Sequence, residues 1–102
     1  MATGIIPQAV DESIYPTYTE YVNLSSYAQG ATFTVSRTGF YCCLVSSTSG
    51  TTKTDFGIRL GGNDVYRTIF TGTATGGLVY LKAGVTYTVL VKTNVNVVYL
   101  YY

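Results

Sequence analysis

The chain has 102 residues, 47% of them hydrophobic and only 11% charged, with six Lys and Arg against five Asp and Glu. That length supports one core and not two. So little charge, against roughly 25% in ordinary soluble domains, leaves apolar surface for a partner to cover, and oligomerisation is expected. The formal charge of +1 provides no field that would gather nucleic acid or an anionic membrane. Every apolar run is broken within about ten residues, so no membrane insertion is expected.

Residues 1–16 carry Pro7, Pro16 and the pair Asp11-Glu12, which reads as an N-terminal linker or wrapping arm. The start lacks a basic stretch followed by a long apolar one, so no secretory signal is expected. The compact domain is placed at 17–102. Its Tyr, Val and Thr content suits pleated, half-buried strands, and no stretch carries a helical stripe of ten or more residues.

Eight short runs follow, at 18–24, 31–36, 39–46, 54–60, 64–71, 76–83, 85–92 and 95–102. The separators have turn chemistry: Arg37-Thr38-Gly39, Gly61-Gly62-Asn63, Gly72 to Gly77, Ala83-Gly84 and Thr93-Asn94. The polar stretch Ser46 to Thr54 reads as the longest exposed interior loop. Eight strands so spaced predict an all-β sandwich or barrel.

Three strands have one wet face. Phe33 and Val35 alternate with Thr32, Thr34 and Ser36. Phe56, Ile58 and Leu60 alternate with Asp55, Gly57 and Arg59. Val85, Tyr87, Val89 and Val91 alternate mostly with Thr86, Thr88 and Lys92. The runs 40–45, 78–81 and 97–102 are apolar on both faces. A sandwich sheet buries one face only, no helix is present to cover the other, and a second subunit is the economical cover. The interface assignment falls on Tyr41, Cys43, Val79, Leu81, Val98, Tyr99, Leu100, Tyr101 and Tyr102. Which face of each strand meets the partner is left open by the pattern.

Cys42 and Cys43 are adjacent, so in a strand they point to opposite faces and do not bridge. Without His they make no metal site. They read as small core residues, and the lack of a disulfide framework fits assembly in a reducing compartment. With no His, Ser-His and Cys-His catalysis are excluded. Asp55 and Asp64 are the only carboxylate pair placed for glycoside hydrolysis, and both read more simply as turn and surface charges. The glycines of 72–77 lead into a strand, not a helix, so they make no phosphate loop. No cofactor is expected. Among the eleven tyrosines, Tyr66 lies beside Arg67, Asn63 and Asp64, and these four are the candidate ligand contacts, since Tyr offers flat apolar area with a hydroxyl.

Phe33-Thr34-Val35-Ser36-Arg37-Thr38-Gly39-Phe40-Tyr41 resembles a signature of the tumour necrosis factor and complement globular-head superfamily. So do the segments Gly57 to Asn63 and Gly76 to Val89. The similarity spans roughly residues 18–102. It implies an eight-stranded antiparallel jelly-roll sandwich that forms a homotrimer, with the first, third, sixth and eighth strands facing the threefold axis. The doubly apolar runs are the third, sixth and eighth. The chain departs from that family in having no Trp, no closing Phe-rich segment and no acidic loop cluster for calcium. In style it is most similar to the tip of a phage tail fibre or a related bacterial surface fibre. The expected function is therefore a non-enzymatic trimeric head on a virion or cell-surface appendage, recognising a host-surface carbohydrate or protein through loops 46–54, 61–67 and 72–77. A purely structural trimerisation cap, or capsid or baseplate decoration, is the alternative, and a small polysaccharide-active enzyme is a third.

Overall fold

In the computed structural model, which describes residues 21–25 and 28–102, alternation and turns give the elements that the pattern predicts. Strands β1 (Tyr21–Asn23), β2 (Thr32–Phe33), β3 (Gly39–Ser47), β4 (Thr54–Leu60), β5 (Asn63–Phe70), β6 (Ala74–Leu81), β7 (Tyr87–Thr93) and β8 (Val95–Tyr101) follow one another. The proposed arm at 1–16 and the first residues of the first run lie outside the described residues. The described residues are all-β, two antiparallel four-stranded sheets with a shared core. One sheet has the order β1-β8-β3-β6 and the other β2-β7-β4-β5.

Only the β4–β5 connection stays within a sheet. There Leu60 pairs with Asn63, and the two residues between are Gly61 at φ 60° and Gly62 at φ 84°. Both central residues thus need positive φ, the requirement of the tight hairpin turn whose twist matches its strands. Every other consecutive pair of strands crosses from one sheet to the other, so the chain winds the two layers together.

Between the layers lie Leu24, Phe33, Tyr41, Phe56, Ile58, Leu81, Tyr87, Val89 and Leu100, each at most 6% exposed. Two tyrosines enter this core because their hydroxyls find partners. Tyr41 donates to the Arg37 carbonyl at 2.7 Å, and the Tyr87 hydroxyl accepts from the Lys82 N–H at 2.8 Å. A buried phenol without a partner would cost about 1–3 kcal/mol.

The run 31–36 yields only Thr32–Phe33, the link at Ala83-Gly84 lengthens to residues 82–86, and three separators are shorter than expected. β6 begins at Ala74, so Gly76 and Gly77 are strand residues paired with Leu44 and Cys43, and the connection shrinks to residues 71–73. The glycines are there for clearance: a Cβ on Gly76 would lie 2.9 Å from Leu44 Cδ2, and one on Gly77 would lie 2.9 Å from the Tyr66 hydroxyl. Ser46 and Ser47 continue β3, and Thr54 opens β4 fully buried, leaving 48–53 as loop. Residues 63–67 are likewise strand, so of the segment 61–67 only Gly61 and Gly62 form the turn.

Candidate functional site

The register of β3 settles which side each residue takes. Phe40, Cys42 and Leu44 stand opposite Tyr80, Leu78 and Gly76 on β6, and Cys42 and Leu44 stand opposite Tyr101 and Tyr99 on β8. Directly paired residues share a face, so these side chains form one continuous surface. The alternating set, Tyr41, Cys43, Val79, Leu81, Val98 and Leu100, is at most 3% exposed and packs against the other sheet. Six of the nine assigned interface residues therefore belong to the core of a single chain, because the period of two puts them on the inner side. Tyr99 and Tyr101 lie on the outer face. Tyr102 follows the last strand, its ring 5.0 Å from that of Tyr41 and beneath the Arg37 guanidinium at 5.6 Å, close over Gly39.

The outer face is apolar at its most exposed points: Phe40 is 65% exposed, Leu78 69% and Tyr80 48%. The Phe40 and Tyr80 rings meet edge to face with centroids 5.2 Å apart, and Tyr99 and Tyr101 lie 6.0 Å apart along β8. At the other end of the face an open groove of about 520 Å³ is lined by Leu44, Val45, Ser46, Ala74, Thr75, Val97 and Tyr99.

No Asp, Glu, Lys or Arg occurs anywhere on β1, β3, β6 or β8. Of the eight charged residues among those described, five lie on the other sheet: Asp55, Arg59, Asp64, Arg67 and Lys92. The remaining three, Arg37, Lys53 and Lys82, are in connections. The two sheets thus differ in charge, although the charged one also exposes Leu60, Val65 and Ile69, the last to 52%. Sequence reading finds the three apolar strands but misses Phe40, Leu44, Leu78 and Tyr80 as the surface set.

On the charged sheet, Arg67 grips Asp55 with both arms, Nε to Oδ1 at 2.6 Å and Nη2 to Oδ2 at 2.8 Å. Its Nη1 reaches Asp64 Oδ2 at 3.3 Å, and Arg59 Nε donates to Asp64 Oδ1 at 2.8 Å. The Arg67 stem crosses the space that a side chain at Gly57 would occupy, so the glycine lets the guanidinium reach Asp55. The hydrogen bonds from Arg67 hold the Asp55 carboxyl below the usual carboxylate range against the opposing effect of burial. Arg59 first, then Arg67, does the same for Asp64.

The four candidate ligand contacts do not form one platform. Arg67 pairs with Gly57 and lies outside, whereas its neighbour Tyr66 pairs with Ile58 and turns inward, half-buried against the core. Adjacent strand residues cannot share a face. Burial raises the Tyr66 phenol. Asn63 stays exposed beside the turn, and the Asp64 oxygens are already engaged.

A second feature lies at the end where β3 crosses to β4 and β7 to β8. Asn94, at φ 61°, sends its Nδ2 to the Ser49 carbonyl at 2.7 Å, the Thr52 carbonyl at 2.9 Å and Thr54 Oγ1 at 2.9 Å. Its Oδ1 accepts from the Thr48 hydroxyl, and its carbonyl accepts from the Thr48 N–H at 3.0 Å. One side chain thus ties the exposed loop to the neighbouring crossover.

No family model matches the chain, and no curated protein or solved structure matches it.

Proposed function

We propose that this chain is a non-enzymatic, self-assembling head: a jelly roll that forms a homotrimer through the charge-free sheet and stands at the tip of a fibre. The observation that carries the reading is the segregation of charge, with Phe40, Leu78 and Tyr80 exposed on a face where no ionised group stands among the described residues. Exposed apolar surface of that kind is what an interface covers. The strand orders β1-β8-β3-β6 and β2-β7-β4-β5, with seven connections of which only one is a hairpin, support the jelly-roll topology. The charge-free sheet is made of the four strands expected to face the axis.

Receptor recognition then falls to the connections at the rim. The Asn94-tied loop 48–53 is the best organised of them, since a contact surface held in place before binding loses less entropy when it binds. Three such loops on one trimer would act through avidity toward a host-surface carbohydrate or protein. The state of the carboxylates supports a binding role over glycoside hydrolysis. A general acid needs one carboxyl kept protonated by a raised pKa, and Asp55 and Asp64 are both held in the opposite direction.

The alternative, a structural cap with no further ligand, gains from the inward turn of Tyr66 and from the internal saturation of Asp64 and Arg67. Sedimentation equilibrium and an adsorption isotherm decide among these. A trimer at micromolar concentration that adsorbs saturably to cell-envelope fractions supports the receptor-binding head, and a trimer without saturable adsorption leaves the cap. A stable monomer ends both.

A further inference from the structure

The charge-free face is not uniform along its length. At one end of the β3–β6 ladder Phe40 and Tyr80 rise from the sheet, with Leu78 next to them; at the other end lies the groove between Leu44, Ala74 and Tyr99. Phe40 and Leu44 are four residues apart, roughly 13 Å along a strand, so projection and depression are separate features of one surface. The projection is preorganised, since the edge-to-face contact with Tyr80 restricts the ring before any partner arrives and lowers the cost of immobilising it.

The groove asks for an apolar occupant. The Ser46 hydroxyl oxygen accepts from the Val97 N–H at 3.1 Å, no charged group lines the depression, and few convergent polar groups are left to orient a polar small molecule. A copy of this chain carries a fitting occupant on the same uncharged face. A cyclic trimer also requires two different complementary patches on each copy, because its contacts are head-to-tail.

We infer that the Phe40 ring of one copy, backed by Tyr80 and Leu78, inserts into the Leu44–Ala74–Tyr99 groove of the next, and that this contact closes the ring. The inference rests on the trimer reading above and adds its direction and its central contact. It explains the size of the groove, which holds more than one side chain, and it places the most exposed aromatic ring among the described residues at a desolvated centre, where interface energy concentrates.

Two complementary variants test it by sedimentation. Phe40→Asp removes the projection and leaves the groove; Ala74→Phe fills the groove and leaves the projection. Both positions are solvent-exposed in one chain, so circular dichroism should show each variant folded. Leu78→Ala provides a milder third variant. Each of the first two should be monomeric where the wild type is trimeric, and Leu78→Ala should raise the concentration needed for assembly. Truncating a flanking contact worth about 1 kcal/mol does so by about fivefold. Mixed in equal amounts, Phe40→Asp and Ala74→Phe should form a two-chain species, since together they own one complete contact. A wild-type trimer that survives Phe40→Asp and Ala74→Phe unchanged, or a mixture that stays monomeric, overturns this contact while leaving the trimer standing. A monomeric or dimeric wild type overturns the trimer itself.

Discussion

Asn94 offers the sharpest test of how the exposed loop is held, because its side chain and its backbone can be perturbed separately. The side chain makes four hydrogen bonds, three from Nδ2 and one to Oδ1. Nδ2 has only two hydrogens, so one is shared, and about three full bonds are at stake at roughly 1 kcal/mol each. One acceptor, Thr54 Oγ1, belongs to a residue with no exposure, and stranding it keeps the estimate from falling lower. Asn94→Gly removes the bonds but accepts the φ of 61°, so it should cost about 3 kcal/mol. Asn94→Ala removes the same bonds and adds the left-handed penalty of about 1 kcal/mol or more, for roughly 4 kcal/mol. Urea unfolding followed by circular dichroism, at one protein concentration and with unchanged m-value, reads both. In thermal melts each kcal/mol should appear as about 4–8 °C. A glycine variant within 0.5 kcal/mol of wild type would refute the clamp, and equal costs for Ala and Gly would refute the backbone contribution.

Two further outcomes follow from the titrating groups. Asp55 and Asp64 have folded pKa values below their unfolded ones, so their contribution is complete above about pH 4, near the unfolded carboxylate value, and is lost as pH falls through the folded values. Arg67→Met should flatten that acid loss in melts taken from pH 7 to pH 2, and parallel curves would show that the pair has no such role. Burial, with Cys42 adjacent, pushes the Cys43 thiol up to about 12, while Cys42 is partly exposed on the charge-free face. A thiol reagent at pH 8 should therefore label Cys42 at low protein concentration and reach Cys43 only on unfolding; two equally fast thiols would contradict the assigned faces.

The strand plan was legible because turn residues and alternation are local. Six of the eight runs overlap their strands over most of their length, 18–24 and 31–36 hold only the short strands β1 and β2, and the β4–β5 turn is announced by paired glycines. The face of the third, sixth and eighth strands was not, since both residue sets are apolar and a period of two carries no sign. On β8 a clue was present: tyrosine hydroxyls at 99 and 101 favour the wet side over Val98 and Leu100. On β3 the same clue misleads, because Tyr41 is inside and satisfies its hydroxyl at the Arg37 carbonyl. The Asn94 clamp joins residues 40 to 45 positions apart in sequence and leaves no local pattern. The Asp55–Arg67 grip escaped counting: outward from the Gly61-Gly62 turn residue 66 falls beside residue 57, and only the register shift between Ile58 and Arg59 brings residue 67 there.

Among the described residues, charge on one outer face and none on the other makes a single copy of this protein a two-faced amphiphile, a surfactant with a rigid body. Such a particle should collect at an air–water boundary or on an alkyl resin with the sheet of Phe40, Leu78 and Tyr80 turned away from water. Sulfate should strengthen that adsorption and urea weaken it. Its colloidal behaviour is then set by whichever sheet remains in contact with solvent.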